Sequence, residues 1–332
     1  MTGPAVPGSC HCARLLADIG GTNARFAWQK AAGEPLRDAA TLPTTEHASL
    51  GSAIRHYLAS AGITTPRWCA IGIANPVTGD RVQMTNHPWS FSTSALQAEL
   101  GFARLLVLND FTAMALALPD LQPHELRQVG GKAAVPDAAM ALIGPGTGLG
   151  VSGLLPCGTP GAWVPLSGEG GHVSLAPATP REEAVLVWLR ARHGHVSAER
   201  AVSGPGLAAL HEALASVDGT SGVRALPSPE ISARALAATD ARCVEALTLF
   251  CAFLGSTAGN LALTLGARGG LYIGGGIVPR LGAAFTRSPF RARFEDKGRF
   301  RDYLAAIPVF VIDTPISPAL RGAARALDAS PA

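Results

Sequence analysis

The sequence carries almost no net charge and few charged residues of any kind. Lysine and arginine together number 27 and aspartate and glutamate 24, which gives a formal charge of +3 over 332 residues. This balance offers no general electrostatic means of binding nucleic acid or a membrane surface, and neither partner is expected. With 48% hydrophobic residues against 15% charged, the chain is not a disordered segment. We expect one or two globular domains with a large core.

The sequence also lacks the cysteine spacing of a disulfide framework and the elements of a signal peptide. Its six cysteines are too widely separated for such a framework. Cys10-His11-Cys12 suggests a metal site, but no second ligand pair follows at zinc-like spacing, so a disordered N-terminal arm is favoured. The first thirteen residues contain neither a basic segment nor an apolar one, which favours a cytoplasmic protein.

One uncharged stretch is long enough to cross a membrane. Residues 246–267 contain no charged side chain over 22 positions and include the small-residue pattern Gly255-Ser256-Thr257-Ala258-Gly259. Several threonines, a serine and an asparagine dilute the stretch, and no comparable span occurs elsewhere. A helix buried within a large α/β protein satisfies the same pattern and is the favoured interpretation.

Apolar strands alternate with helical patterns in both halves of the chain. The strand that ends at Asp18 leads through a glycine turn into a second strand over 24–29. Further elements include a helix predicted over 46–61 and a strand predicted over 138–143, and Ser92 is expected to cap a helix. This alternation predicts an α/β protein with two related lobes and a cleft between them.

Glycine-rich turns follow three predicted strands, at Gly20-Gly21, Gly144–Gly150 and Gly274-Gly275-Gly276. The first two share one layout, a strand, a glycine turn and a second strand, about 125 residues apart. None contains the G-x-G-x-x-G fingerprint or a P-loop lysine pattern. Rossmann dehydrogenases and P-loop enzymes are therefore disfavoured.

Several polar residues beside these turns have both a structural and a functional interpretation. The amides after Asp18 could cradle phosphate, with Asp18 placing Mg²⁺ through water, or could close an ordinary hairpin. Asn109-Asp110 could cap a helix or supply a general base. His172 in the loop Glu169–His172 could be structural, and Glu199-Arg200 could be an exposed pair.

The ordered series of these motifs resembles the bacterial glucokinases of the non-ROK group, within the sugar kinase, actin and Hsp70 superfamily. The series runs in family order from residue 14 to about 312. It consists of Ala17-Asp18-Ile19-Gly20-Gly21-Thr22-Asn23-Ala24-Arg25-Phe26, Met84-Thr85-Asn86-His87 with Trp89, Asn109-Asp110-Phe111-Thr112-Ala113, Gly146-Thr147-Gly148-Leu149-Gly150, Gly168-Glu169-Gly170-Gly171-His172, Ser197-Ala198-Glu199-Arg200, Ser203-Gly204-Pro205-Gly206, Gly274-Gly275-Gly276-Ile277-Val278-Pro279-Arg280 and Phe294-Glu295-Asp296-Lys297-Gly298-Arg299-Phe300.

The resemblance implies a two-lobed ribonuclease H-like (actin-like ATPase) α/β fold with its active site in the interlobe cleft. It implies a small domain of residues 1–120 plus 311–332 and a large domain of residues 121–310. The implied reaction is ATP-dependent phosphorylation of D-glucose at O6, the first step of glycolysis, with Mg²⁺ as cofactor. The implied oligomer is a homodimer.

The resemblance also implies roles for individual residues. Asp110 would be the base that activates the sugar 6-hydroxyl. The remaining sugar hydroxyls would be held by Asn109, Glu169, His172 and Glu199. The ATP phosphates would be cradled by Gly20, Gly21, Thr22, Asn23, Gly146, Thr147 and Gly148. Gly275 would face the adenosine, and Asp18 would help to place Mg²⁺ through water.

Two alternative functions remain open at this level. A broad-specificity hexokinase would share every motif, and a non-catalytic actin-like ATP-binding protein would need the glycine turns but not Glu169, His172 and Glu199. Neither ATP nor polyphosphate is excluded as donor. Asn75 as a sugar contact is in doubt, and residues 294–300 have no assigned role beyond a surface turn. The zinc loop of ROK sugar kinases and an N-terminal helix-turn-helix are both absent from the sequence.

Overall fold

A computed structural model describes residues 12–64, 66–159, 161–220 and 224–329. Cys10 and His11 of the candidate N-terminal metal motif lie outside the described residues. The chain divides into two units, Met1–Leu121 with Thr314–Ala332 (the small unit) and Gln122–Asp313 (the large unit).

Strands and helices alternate along both units. The strands are β1 (Arg14–Ile19), β2 (Asn23–Gln29), β3 (Arg37–Pro43), β4 (Trp68–Ile73), β5 (Arg81–Gln83), β6 (Ser90–Ser92), β7 (Arg104–Asn109), β8 (Leu126–Gln128), β9 (Met140–Pro145), β10 (Leu149–Pro156), β11 (Trp163–Pro165), β12 (Leu271–Ile273) and β13 (Val309–Ile312). The helices are α1 (Leu50–Ser60), α2 (Thr93–Leu100), α3 (Asp110–Leu116), α4 (Pro180–His193), α5 (Gly204–Val217), α6 (Ser228–Leu236), α7 (Ala241–Leu265), α8 (Val278–Leu281), α9 (Ala283–Arg287), α10 (Phe290–Glu295), α11 (Arg301–Ala306) and α12 (Pro318–Ala329).

The main sheets of the two units share one strand pattern. In the small unit the order is β3-β2-β1-β4-β7. The pairs β3–β2 and β2–β1 are antiparallel, and the pairs β1–β4 and β4–β7 are parallel. In the large unit the order is β11-β10-β9-β12-β13, with the same directions, and β8 adds an antiparallel edge. Each copy opens with a hairpin whose turn is glycine-rich, as the repeated motif predicted.

Strands β1 and β4 of the small unit are buried on both faces. Leu15 and Ala17 of β1 belong to a core cluster that includes residues of α1, whereas Leu16, between them, packs against α12. Because successive side chains of a strand point to opposite faces, a continuous apolar run is required here. Helix α12 lies close to α3, and a Cβ on Gly322 would overlap the Ala113 carbonyl oxygen.

Helix α7 contains most of the uncharged stretch, residues 246–265 of 246–267. Among the described residues it is the one helix long and apolar enough to cross a membrane, and most of it is buried within the large unit. Its two small-pattern glycines allow α10 to approach, because a Cβ on Gly255 or Gly259 would overlap the carbonyl oxygen of Phe290 or of Phe294. The small-residue pattern therefore serves helix packing inside the unit.

The expectation of a mere surface turn at residues 294–300 is wrong for the first part of that segment. Phe294 is fully buried at the end of α10, and Lys297 donates to the Ser256 carbonyl on α7 at 3.2 Å. Burial of the ammonium lowers the pKa of Lys297. This mainly charged segment therefore contains a buried aromatic residue, Phe294, and a contact with α7 through Lys297.

Several element boundaries differ from those expected. The helix predicted over 46–61 begins at Leu50, because the Ser49 side chain accepts from the Ser52 amide and caps it. The strand predicted over 138–143 runs from Met140 to Pro145. The predicted Ser92 cap of α2 is present.

Candidate active site

The first glycine hairpin joins β1 to β2 at the carboxyl end of β1. The Gly20 amide donates to the Asn23 carbonyl at 2.9 Å and closes the turn. Thr44 fixes the turn from outside, since its amide donates to Thr22 O at 3.0 Å and its hydroxyl to Gly21 O at 2.9 Å. The turn is thus rigid, and its Gly20 amide is already used.

Asp18 lies one residue before this turn and is buried, with 6% of its surface exposed. Its Oδ2 accepts from Arg25 Nη1 at 3.2 Å, across the hairpin, and from the Ser317 hydroxyl at 2.7 Å, just before α12. Both contacts use the same oxygen. The carboxylate therefore links the hairpin to the C-terminal helix while Oδ1 remains available to a water or a cation.

Of the adjacent residues Asn109 and Asp110, the first caps helix α3 and the second begins it. Asn109 ends β7 and caps α3, because its Oδ1 accepts from the amides of Phe111 at 2.9 Å and Thr112 at 3.1 Å. Asp110 is the first residue of α3 and is half-buried, and its Oδ1 accepts from the Phe111 amide at 2.9 Å. Asp110 is thus held at the N-terminus of α3 with its Oδ1 bonded to the backbone.

The structure places Asn75 beside this end of the sheet. Asn75 Oδ1 accepts from the Thr85 amide at 3.1 Å and the Thr85 hydroxyl at 2.8 Å, and its carbonyl lies 3.5 Å from Asn109 Nδ2. Its side-chain oxygen is thus engaged by its own loop rather than presented to a ligand.

The second glycine hairpin, in the large unit, repeats the first. The Gly146 amide donates to the Gly148 carbonyl at 2.8 Å, as the Gly20 amide does in its own turn. The Gly204 amide at the start of α5 donates to Gly146 O at 2.8 Å and holds the turn from outside. Gly275, with φ of +78°, packs its backbone against Pro145 so closely that a Cβ would overlap the Pro145 carbonyl.

Glu199 belongs to this second hairpin. Its Oε2 accepts from the Leu149 amide at 2.9 Å, and a Cβ on Gly148 would lie 2.5 Å from the same oxygen. The interpretation of Glu199-Arg200 as an exposed pair is wrong for Glu199, which is half-buried, and right for Arg200, which is exposed. A carboxylate held through one oxygen retains acceptor capacity for a hydroxyl.

Glu169 and His172 lie at the two ends of a short 3₁₀ turn that packs on β10. Gly171, inside the turn, approaches so closely that a Cβ would overlap the Leu149 carbonyl oxygen. The His172 amide donates to the Glu169 carbonyl at 3.0 Å, and both side chains are exposed. The glycines of this loop therefore bring two polar side chains beside the hairpin without burying them.

A short backbone pairing brings His172 and Glu199 to the same region. The Ala198 amide donates to Val173 O at 2.9 Å, and the Leu175 amide donates to Val196 O at 3.0 Å. The residue after His172 is therefore bonded to the residue before Glu199. Glu169, His172 and Glu199 form one group around the start of β10.

The expected site residues thus fall into two groups, one in each unit. The small unit holds Asp18, Gly20, Gly21, Thr22, Asn23, Asn109 and Asp110 at the carboxyl ends of its parallel strands. The large unit holds Gly146, Thr147, Gly148, Glu169, His172, Glu199 and Gly275 around its own hairpin.

Sequence reasoning missed the residues that fix these turns from outside. Thr44, Ser317 and Gly204 carry no distinctive local signal, although Gly204 lies in one of the family-like motifs. Arg25 also lies in such a motif, and its pairing with Asp18 follows from the hairpin register.

A doubled α/β sheet with a glycine hairpin in each copy, and carboxylate and imidazole side chains beside one of them, is the arrangement of a sugar kinase. A family model described as Glucokinase matches residues 15–330. The chain belongs to the glucokinase family. It is 59% identical over 316 residues to the glucokinase of Aromatoleum aromaticum, covering 95% of this chain and 94% of that protein.

Solved structures give the same answer for the fold. The structure of glucokinase from an Antarctic psychrotroph matches with a TM-score of 0.84 at 39% identity, covering 96% of this chain and 99% of that one. A ROK family glucokinase from Streptomyces griseus, in complex with glucose and AMPPNP, matches with a TM-score of 0.62 at 19% identity, covering 95% and 98%. The family, the two-lobed actin-like fold and the enzyme class expected from the sequence are confirmed.

Proposed function

We propose that this enzyme transfers the γ-phosphoryl group of ATP to O6 of D-glucose, giving glucose 6-phosphate and ADP. The observation that carries the proposal is the grouping of Glu169, His172 and Glu199 around a glycine hairpin. Such side chains suit a ligand with several adjacent hydroxyls, because carboxylates accept from vicinal hydroxyls and imidazole adds a donor or an acceptor. The Streptomyces griseus relative with glucose and AMPPNP supports the same substrate pair.

Asp110 is the base in this proposal. The sugar O6 attacks the γ-phosphorus as the bond to the ADP oxygen breaks, and Asp110 accepts the hydroxyl proton. Asn109 Oδ1 is committed to the cap of α3, so its Nδ2 is the atom that would donate to a sugar hydroxyl. Phosphoryl transfer depends chiefly on alignment and charge neutralisation, so rigid turns and one base suffice.

The phosphates are assigned to the two hairpins and the adenosine to Gly275. Since the Gly20 and Gly146 amides close their own turns, the amides of Gly21, Thr22, Asn23, Thr147 and Gly148 are the ones offered to phosphate oxygens. Mg²⁺ would neutralise phosphate charge when bound. Asp18 fits it through water, because Arg25 and Ser317 both use Oδ2 and leave Oδ1.

The remaining assignments are proposals by family likeness. The lobes are residues 1–120 plus 311–332 and residues 121–310, and the protein is a cytoplasmic homodimer. A broad-specificity hexokinase is the neighbouring alternative. Comparing kcat/KM for glucose, mannose, fructose and glucosamine separates the two, because a site that hydrogen-bonds a hydroxyl discriminates strongly against its loss or inversion.

The test is ATP- and Mg²⁺-dependent formation of glucose 6-phosphate by the purified protein beside Asp110→Ala. We expect turnover by the wild type and a kcat that is about 10²–10⁴-fold lower in the variant. Polyphosphate replaces ATP in a parallel assay. Absence of turnover with any sugar while ATP still binds would favour the non-catalytic actin-like alternative.

A further inference from the structure

A second cluster of ligand-type side chains lies in the large unit, away from every residue assigned to glucose or ATP. It consists of His211 on α5, Asp240 at the N-cap of α7 and Cys243 in the first turn of α7. A ring nitrogen of His211, a carboxylate oxygen of Asp240 and the Cys243 sulfur all lie within 4.8 Å of one another. Nitrogen, oxygen and sulfur donors converge here from two helices.

The backbone fixes two of these side chains. Asp240 Oδ1 accepts from the amides of Arg242 at 3.0 Å and Cys243 at 3.2 Å, which orients the carboxylate at the start of α7. Arg234 Nη1 lies 3.6 Å from the other oxygen, Oδ2. Cys243 is fully buried in the same turn. A carboxylate oxygen has more than one lone pair, so the cap leaves acceptor capacity for a further ligand.

His211 supplies the independent observation that points to a ligand. Its side chain is buried, with 2% of the residue exposed, and among the described residues its Nδ1 has no hydrogen-bond partner. Buried polar atoms are nearly always satisfied, so an orphaned ring nitrogen beside a carboxylate and a thiol requires an explanation. A cation bound through Nδ1 removes the discrepancy.

We propose that His211, Asp240 and Cys243 bind one zinc-type divalent cation, with water as the fourth ligand. The mixed donor set suits Zn²⁺ better than Mg²⁺ or Ca²⁺, which prefer oxygen alone. Ligand atoms around one tetrahedral zinc lie about 3.3–3.7 Å apart, so the three side chains must close in by at most about 1 Å. Rotation of the His211 and Cys243 side chains provides that movement, and the metal replaces the hydrogen bond between the Cys243 thiol and Asp240.

Metal binding at this site requires a neutral imidazole and a deprotonated thiol. Burial lowers the pKa of His211, so the imidazole is neutral and has a lone pair to give. Burial and the neighbouring Asp240 raise the pKa of the Cys243 thiol to about 11. On binding, the S–H bond breaks, a sulfur–metal bond forms and the proton passes to solvent. The cation would tie α5 to the start of α7 within the large unit.

The experiment uses Co²⁺ and Zn²⁺ on the untagged full-length protein carrying Cys10→Ser and Cys12→Ser. That background removes the N-terminal thiols, which could otherwise bind the same ions. Co²⁺ bound by a thiolate gives a near-ultraviolet charge-transfer band and visible bands of tetrahedral type. Equilibrium dialysis gives the stoichiometry, and thermal unfolding gives the stabilisation. We expect one equivalent per chain and a Tm increase of about 5 °C at Zn²⁺ near one hundred times Kd.

Cys243→Ser is the test variant and Cys251→Ser is its matched control. Cys251 is also buried in α7, two turns further along, and lies outside the cluster. We expect Cys243→Ser to lose the charge-transfer band and at least tenfold in affinity, while Cys251→Ser retains both. If Cys243→Ser does not fold, His211→Asn serves, with loss of one ligand and a weaker visible spectrum. Absence of binding in the background protein, or an unchanged band in the folded variant, overturns the proposal.

Discussion

Replacing Gly148 by alanine tests whether Glu199 holds the sugar. A Cβ at Gly148 would lie 2.5 Å from Glu199 Oε2, whereas ordinary contact begins at 3.4 Å, so the oxygen must move by about 0.9 Å. That displacement weakens the 2.9 Å bond from the Leu149 amide and moves the carboxylate. Since the carboxylate ends a flexible side chain, we expect less than about 1 kcal/mol of lost stability.

The consequence for catalysis follows from the loss of one hydrogen bond to a charged acceptor. Such a bond is worth about 1.5–3 kcal/mol, and each 1.4 kcal/mol is a factor of ten. We therefore expect the KM for glucose to rise about 10- to 100-fold in Gly148→Ala. The assay is steady-state formation of glucose 6-phosphate with glucose and ATP varied separately.

Gly146→Ala is the matched control in the same turn. A Cβ there meets nothing within 4 Å, so Glu199 keeps its position. We expect its KM for glucose to stay within about twofold of the wild type, although either variant can change the KM for ATP. A glucose KM that is unchanged in a folded Gly148→Ala protein would refute the assignment of Glu199 to the sugar.

Three further predictions concern stability, measured by denaturant or thermal unfolding. Gly322→Ala should cost at least about 3 kcal/mol, because its Cβ would overlap the Ala113 carbonyl oxygen and separate α12 from α3. Glu182→Ala should cost about 3–5 kcal/mol, because it leaves Arg293 in a largely buried site without its carboxylate. Hydrogen bonds from two serines lower the pKa of Asp80, so Asp80→Asn should reduce Tm at neutral pH, and the difference should shrink as the pH falls below 3.8.

Neighbouring or similar positions provide the controls. A Cβ on Gly79 meets no described atom within 4 Å, and Glu183 is exposed beside Glu182. Gly79→Ala and Glu183→Ala should therefore each change stability by no more than about 0.5 kcal/mol. Equal losses in Glu183→Ala and Glu182→Ala would contradict the role of the buried ion pair. For Asp80, a stability difference from the wild type that does not depend on pH would contradict the role of its charge.

The doubled fold and the glycine hairpins were readable from the sequence. A strand buried on both faces is mostly apolar, and a tight turn at a sheet edge favours glycine, so both leave local patterns. The Ser92 cap was equally visible, because capping depends on the residue itself. The boundaries of α1 and β9 were not, since helix and strand ends are set by neighbours that a local pattern does not include.

The candidate site was predicted residue by residue but not contact by contact. The letters Glu199 and His172 gave no sign that a short backbone pairing would bring them together, and Gly148 gave no sign that a carboxylate would lie against it. The tertiary structure also decided that Asn109 caps α3 while Asp110 begins it. These contacts join residues far apart in the chain, and their geometry depends on packing.

The sequence by itself determined the family, the two related α/β units and the residue types available for phosphoryl transfer. These follow from local periodicity, from turn chemistry and from ordered motifs, which do not require distant contacts. Only the tertiary structure decided which hairpin amides donate within their own turns. It alone also decided how residues 290–297 pack against α7 and that His211, Asp240 and Cys243 lie close together. Such facts depend on which side chains meet across helices and strands, and a one-dimensional pattern does not specify those distances.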